Sequence, residues 1–303
     1  MEEFWELDYF THHRWIGGHV DARMSPAAFR RLNSNEGRGK GLKYELLIED
    51  VQHLLDRENQ ESEWYQRKWQ RNKAAVSRKP MTCEGVELNN ADDSEDVDVF
   101  PSTSAEDWFE GYHLYRDHVE WMKAQIRNYP AIARPFSAGK SFEGRYQAGI
   151  KIGSGPDHVV LHGLQHSREW ITGSAVEYLI YQLLVGTDAR IPGYLKKYTF
   201  HIIPIMNPDG FIIAQTTDRL HPYVRNWNFH WNESLNDASS TDPCAFSYRG
   251  SNAFSTPEAT NIARYLKSLP NVVTYMDFHA YSQLPLTPYG YTGERPATYN
   301  SYL

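Results

Sequence analysis

The stretch that decides the fold runs from Val159-Val160-Leu161 to His166-Ser167-Arg168-Glu169, and a helical pattern begins after it, near Ile171. The apolar run predicts a buried strand. After the motif, apolar side chains recur at helical spacing, which predicts a helix with one buried face. These side chains are Val176, Leu179, Ile180, Leu183 and Leu184. A strand, a loop and a helix in this order indicate an α/β domain.

The polar residues of this stretch predict a metal site. His166 and Glu169 are three residues apart and can bind one ion, and His279 stands at the end of a second apolar run, residues 272–278. In open α/β sheets, ligands bind beyond the carboxyl ends of the strands, where both histidines are expected. Two imidazoles, one carboxylate and an open fourth position form a catalytic zinc site, so we predict one Zn²⁺ on His166, Glu169 and His279.

The His-x-x-Glu spacing is weak evidence by itself. The chain contains 13 His and 38 acidic residues, so such pairs also arise by chance. A pair of this kind can equally mark the charged start of a surface helix. The prediction therefore depends on the strand ends that flank the motif.

Composition limits the class of protein. With 303 residues and 41% hydrophobic residues, the chain is long enough for a large α/β domain and a smaller one. The net charge of −7 argues against general nucleic-acid binding. No apolar run approaches the ~20 residues of a membrane helix, and the acidic, aromatic start lacks the features of a signal peptide. Cys83 and Cys244 do not indicate a compartment, and free thiols are the simpler interpretation.

The pattern along the chain predicts three parts. Residues 1–62 are predicted to form a small α+β domain, with strands at 19–24 and 44–48 and helices at 26–32 and 49–57. Residues 63–106 are predicted to be a linker, because a basic cluster at 67–79 and an acidic cluster at 92–96 offer little apolar surface to bury. The linker is either a protease-sensitive hinge or a plain charged connection.

The third part, residues 107–303, carries the alternation of strands and helices. Helices are predicted at about 113–128, after the metal motif and from Thr256-Pro257-Glu258. Strands are predicted near 148–153, 158–162, 198–205 and 272–279. This order predicts an α/β fold with a mixed, largely parallel sheet flanked by helices.

Five motifs in one order resemble those of the zinc metallocarboxypeptidases of the carboxypeptidase A/B type. They are Ser141-Phe142-Glu143-Gly144-Arg145, Gly163-Leu164-Gln165-His166-Ser167-Arg168-Glu169, Asn207-Pro208-Asp209-Gly210-Phe211 (similar to a strand-to-loop turn), Arg225-Asn226-Trp227 and His279-Ala280-Tyr281-Ser282-Gln283. The resemblance implies a carboxypeptidase-like fold and removal of C-terminal amino acids from peptides and proteins. It implies that Arg225 holds the substrate's terminal carboxylate, that Arg168 contacts the peptide further along and that Tyr281 lines an outer subsite.

The resemblance also reaches into residues 1–62. Val20-Asp21-Ala22-Arg23 and the segment 44–52 resemble the activation domain of these enzymes, incomplete at its start. This resemblance implies a secreted zymogen whose partners are peptide or protein C-termini. It also implies that residues 63–106 are an activation linker that a trypsin-like protease cuts. Neither nucleic acid nor a membrane is implied.

Three departures from the family pattern bear on activity. Val224 stands where the family has Asn, and about twenty residues that include an oxyanion arginine are missing between Leu220 and Arg225. The family's general-base glutamate has no match after His279, so we assign no catalytic residue and interpret residues 107–303 as a C-terminally truncated catalytic domain.

Three functions remain open at this point. The first is a zinc carboxypeptidase zymogen. The second is a catalytically impaired relative that binds zinc and peptide C-termini without turnover. The third is another zinc hydrolase that acts on a small acylated amino acid, against which the Arg225-Asn226-Trp227 segment argues.

Overall fold

The structure is a computed structural model, and it describes most of the second half of the chain. The described residues are 7–9, 22–33, 44–50, 53–54, 56–57, 60, 108–216, 225–233, 239–243, 247–281 and 283–297. The chain divides into two compact units, Met1–Arg57 and Glu58–Leu303. The predicted linker, 63–106, lies outside the described residues.

The described part of the first unit contains a short pair of strands, the helix α1 and helical residues near its end. Strand β1 (Leu7–Tyr9) pairs antiparallel with β2 (Ala22–Met24). Helix α1 (Pro26–Leu32) begins at the residue predicted from the sequence. Its N-cap Ser25 accepts a hydrogen bond from the Ala28 N–H at 3.2 Å, and Pro26 at the first helical position has no N–H to satisfy.

The strand predicted at 44–48 is wrong, because these residues are irregular. Their apolar side chains are exposed, Leu47 by 66%, and they pair with no strand of the described part. An apolar segment alone therefore gave no strand here, since a strand needs a partner for its backbone groups. Of the helix predicted at 49–57, Glu49 and Asp50 are irregular, and the described residues after them are helical.

The second unit is built on a five-stranded sheet. Its strands are β3 (Ala133–Lys140), β4 (Tyr146–Gly153), β5 (Asp157–His162), β6 (Tyr198–Ile203) and β7 (Val272–Asp277), in the order β3-β4-β6-β5-β7. The β3/β4 and β4/β6 pairs are antiparallel, whereas β6/β5 and β5/β7 are parallel. The mixed sheet is thus confirmed, and its parallel pairs lie on the side that carries the metal motif.

Five helices of the described residues flank this sheet. They are α2 (Tyr115–Asn128), α3 (Trp170–Val185), α4 (Ile191–Lys197), α5 (Pro208–Thr216) and α6 (Pro257–Ser268). Neighbouring residues of β6 show how the sheet separates two apolar layers: Ile202 packs with Val176 and Ile180 of α3, and Ile203 packs with Ile262 of α6. Successive strand residues point to opposite faces, so both faces are covered.

Four described elements escaped the sequence analysis: β1, β3, α4 and α5. Strand β3 contains Pro135 and Gly139, which argue against a strand, but β3 is an edge strand where proline is tolerated. Helix α5 begins inside the segment that was predicted to be a strand-to-loop turn. Asn207 caps it, since its Oδ1 accepts from the Gly210 N–H at 3.0 Å.

Strand β7 is exposed, contrary to the predicted buried strand. Within the described part of the chain it pairs only with β5, and Val273 and Met276 are 53% and 47% exposed. The described helices are neither long nor apolar enough to cross a membrane.

Candidate metal centre

The predicted metal ligands meet because β5 and β7 are neighbours. His162 at the end of β5 stands opposite Asp277 at the end of β7. The strands are parallel, so the segments that leave them emerge at the same edge of the sheet. The Phe278 N–H donates to the His162 carbonyl at 2.9 Å and extends the pairing by one residue. This pairing brings His279 to the loop that carries His166 and Glu169.

The three side chains form one compact donor set. One ligand atom from each lies within 4.8 Å of the others. Nδ1 of His166 is 3.0 Å from Oε1 of Glu169, and Nδ1 of His279 is 3.1 Å from Oε2. Both imidazoles therefore turn the same ring nitrogen toward the carboxylate. This is the one group of three such donors in the described part of the chain.

A tightly held turn presents these ligands. Thr172 in the first turn of α3 accepts from the Leu164 N–H at 2.9 Å and donates to the Glu169 carbonyl at 2.7 Å. Gly163 is required at the start of the turn, because a Cβ there would lie 2.7 Å from the Thr172 carbonyl oxygen. The Met206 N–H donates to the Gly163 carbonyl at 3.0 Å, so the turn is also fixed to the end of β6.

The electrostatics suit a cation. Burial would raise the pKa of Glu169, but hydrogen bonds from His166 and His279 outweigh it and lower the pKa to about 2. Burial lowers the pKa of His166, and the nearby positive charge of Arg225 adds to this. At neutral pH the centre therefore offers an ionised carboxylate and a neutral imidazole.

His279 behaves differently in the metal-free centre. Burial would lower its pKa, but the hydrogen bonds to Asp277 and Glu169 raise it to about 10. A bound cation would displace this proton, as metal binding to histidine does in general. The His279 side chain is 37% exposed, so the centre is open to solvent on one side. Two imidazoles, one carboxylate and an open side fit zinc.

A second His-x-x-Glu pair in the chain shows that this spacing alone brings a histidine and a glutamate together without forming a metal site among the described residues. Nδ1 of His230 lies 2.9 Å from Oε2 of Glu233, much as in the first motif. Within the described residues no further histidine, cysteine or carboxylate completes a three-donor group there. The metal centre is thus distinguished by the third ligand from β7 and not by the local motif.

The segment predicted to bind substrate is anchored beside the metal loop. Asn226 is buried, donates to the carbonyls of Arg249 and Asn252 at 2.6 and 2.7 Å, and accepts from the Thr256 N–H. The indole N–H of Trp227 donates to Oε1 of Gln165 at 3.1 Å, next to His166. Arg225 thereby has a fixed backbone close to the metal ligands.

The predicted substrate residues differ in burial. Arg225 is half-buried, whereas Arg168 and Tyr281 are exposed, Tyr281 by 68%. Val224 and the gap after Leu220 lie outside the described residues. The sequence analysis overlooked Asp277, although its spacing of two residues from His279 places both on one face of an extended segment.

Comparison with known proteins agrees with the fold and with zinc as the metal of the family. The Peptidase M14 (zinc carboxypeptidase) family profile matches residues 118–303. A metallocarboxypeptidase A-like protein of Trichophyton verrucosum is 34% identical over 242 residues, 73% of this chain and 54% of the relative. A protein of Ajellomyces capsulatus named an inactive metallocarboxypeptidase is 33% identical over 214 residues, 61% of this chain and 35% of the relative.

A solved structure supports the same conclusion at the level of the fold. The carboxypeptidase A of Helicoverpa armigera superimposes with a TM-score of 0.69 at 23% identity, over 98% of this chain and 68% of the other. The chain belongs to the zinc carboxypeptidase family. It spans between 46% and 66% of the length of three curated relatives that it matches.

Proposed function

We propose that this chain is a zinc-dependent metallocarboxypeptidase that removes C-terminal amino acids from peptides and proteins. The observation that carries the proposal is the convergence of His166, Glu169 and His279 within 4.8 Å at the sheet edge. Family membership supports this function over the third alternative, a hydrolase of small acylated amino acids.

The ligands contribute charge and geometry. A zinc ion bound there would polarise a scissile carbonyl and lower the pKa of its water toward ~7. Glu169 supplies the negative charge, since its pKa of about 2 keeps it ionised at neutral pH. The Ala280 N–H donates to Oε2 of Glu169 at 3.1 Å and restrains the carboxylate from the β7 side.

Substrate selection in this proposal rests on three further residues. Arg225 would grip the terminal carboxylate, because a guanidinium group can donate two parallel hydrogen bonds to it. Arg168 would contact the peptide upstream, and Tyr281 would line an outer subsite. The neighbours Asn226 and Trp227 are anchored beside the metal loop, which supports a position of Arg225 within reach of a substrate at the metal.

Zinc content tests the metal site. Purified protein should contain about one zinc ion by mass spectrometry, and His166→Ala or His279→Ala should lose it. The matched control is His230→Ala, which removes a histidine from the same His-x-x-Glu spacing and should retain the metal. Equal zinc in all four proteins would refute the assignment.

Peptide binding tests the substrate residues. A peptide with a free C-terminal carboxylate should bind more tightly than its C-terminal amide, and Arg225→Gln should abolish that difference. Arg168→Gln should weaken both peptides and keep the difference. If Arg225→Gln still discriminates the two peptides, the carboxylate is held elsewhere.

The second candidate function is binding without turnover. It is favoured by the resemblance to a relative named inactive. The same peptides separate the two functions, because a hydrolase releases the terminal amino acid and an impaired relative only binds. Mass spectrometry of the incubated peptides, with and without a chelator, reads out the difference.

Extracellular action and activation by a trypsin-like protease complete the proposal. Both rest on the resemblance of residues 1–62 and on the basic cluster at 67–79.

A further inference from the structure

Behind His279, three side chains form a polar row across the ends of β5 and β7. Oη of Tyr275 lies 2.6 Å from Nε2 of His162. Nδ1 of His162 lies 3.2 Å from Oδ1 of Asp277, an ion-pair distance, and neither of these two buried atoms has a hydrogen-bond partner within the described residues. Oδ2 of Asp277 is 2.8 Å from Nε2 of His279. The row thus ends on the ring nitrogen of His279 that faces away from Glu169.

The positions in this row follow from the strand geometry. Tyr275, Asp277 and His279 alternate along one extended segment and so share a face. His162 is the register partner of Asp277 on β5 and is fully buried. The carboxylate of Asp277 is therefore fixed between two imidazoles, with its side chain only 18% exposed.

The proton next to Asp277 can be assigned from the donor and acceptor types. An ionised carboxylate can only accept, so Oδ2 of Asp277 accepts the Nε2–H of His279 at 2.8 Å. A neutral imidazole carries one N–H, so this bond leaves the lone pair of His279 on Nδ1, the atom that faces the metal position.

We infer that Asp277 is a positioning residue, which holds the ring orientation and the tautomer of His279 so that Nδ1 can bind zinc. The inference rests on the proposed zinc site. Carboxylates that accept the second N–H of a metal-bound histidine typically contribute about 10–100-fold to metal affinity. His162 is the register partner of Asp277, so the strand pairing itself places the carboxylate that orients the ligand.

Zinc affinity, measured by competition with a chromophoric chelator, tests this role. Asp277→Ala should weaken zinc binding by about 10–100-fold. Asp277→Asn should have a smaller effect, because its amide oxygen can still accept from one histidine. An affinity of Asp277→Ala within twofold of that of the unchanged protein would overturn the inference.

A matched control separates positioning from a general loss of stability. Glu177 is also a buried carboxylate. Its Oε2 accepts from the indole N–H of Trp108 at 3.0 Å and its Oε1 lies 2.8 Å from Nδ1 of His118, both outside the proposed ligand set. Glu177→Gln should lower the urea midpoint of the chelated protein and leave zinc affinity unchanged. If Glu177→Gln weakens zinc binding as much as Asp277→Ala, the effect of Asp277 is merely structural and the inference fails.

Imidazole NMR supplies a readout that stability does not move. With zinc bound, His279 should show an exchange-protected Nε2–H resonance in ¹⁵N-labelled protein, and Asp277→Asn should broaden or shift it. An unchanged resonance would contradict the inference.

If the unchanged protein binds no zinc, the proposed function itself fails. If it binds zinc through His279 but not with the help of Asp277, only the positioning role fails.

Discussion

Replacement of Glu177 should reveal how much of the stability of the second unit depends on one buried polar network. Glu177 of α3 is fully buried. Its Oε2 accepts from the indole N–H of Trp108 at 3.0 Å, and its Oε1 lies 2.8 Å from Nδ1 of His118 on α2. Both partners are themselves almost fully buried. The carboxylate therefore joins two helices and the segment before them.

The magnitude follows from the number of groups left without a partner. Glu177→Gln keeps one carbonyl oxygen but places an amide N–H₂ against a buried donor, so one donor loses its acceptor at a cost of about 1–3 kcal/mol. Glu177→Ala leaves the N–H groups of Trp108 and His118 both unsatisfied and opens a cavity. Removal of one partner from a buried pair typically costs about 3–5 kcal/mol. We expect the glutamine variant to be the milder of the two.

Urea denaturation followed by circular dichroism measures this cost. The control is Asp188→Asn, which also removes one carboxylate that hydrogen-bonds a cation, Arg190, at 2.6 Å. Both residues of that pair are exposed, so its loss should leave the unfolding midpoint unchanged. If Glu177→Gln shifts the midpoint no more than Asp188→Asn does, the buried network contributes nothing and the argument is wrong.

Three further predictions concern backbone space, pH and proteolysis. Gly155→Ala should destabilise the protein by about 1–3 kcal/mol, because a Cβ there would lie 2.0 Å from the Lys197 carbonyl carbon. The control is Gly193→Ala, whose Cβ would meet nothing within 4 Å. In the same urea assay this control should stabilise α4 by up to about 1 kcal/mol. Burial, and to a lesser extent the charge of His118, lower the pKa of His113 from 6.5 to about 4. The folded protein therefore keeps His113 neutral, and the associated stability is complete above pH 6.5 and is lost as the pH falls toward 4. Between pH 7 and pH 5 the loss should be about 2 kcal/mol, and His113→Gln should flatten that part of the stability profile; an unchanged profile would refute it. Limited trypsin digestion should cut first within 67–79, as read by mass spectrometry of the fragments, and first cuts inside 110–280 would contradict the predicted linker.

Local patterns in the sequence were enough for helices α1, α2, α3 and α6 and for the chemistry of the ligands. Helix α3 follows the 3.6-residue spacing of its apolar residues, and α1 begins at a serine cap followed by proline. The ligand types of His166, Glu169 and His279 already favoured zinc, because two imidazoles and one carboxylate match its coordination chemistry. Periodicity and capping are interactions between residues close in the chain, which is why the sequence reveals them.

Contacts between distant residues were decided by the tertiary structure. Glu169 and His279 are 110 positions apart and meet only because β7 pairs with β5, and the same pairing places Asp277 against His162. His230 and Glu233 have the same spacing as the first motif, yet no third donor among the described residues joins them. The segment 44–48 is predominantly apolar and was predicted to be a strand but pairs with none of the described strands, whereas β3 forms despite Pro135. Strand pairing is a contact between remote segments, and the partner, not the local pattern, determines whether a strand or a metal centre forms.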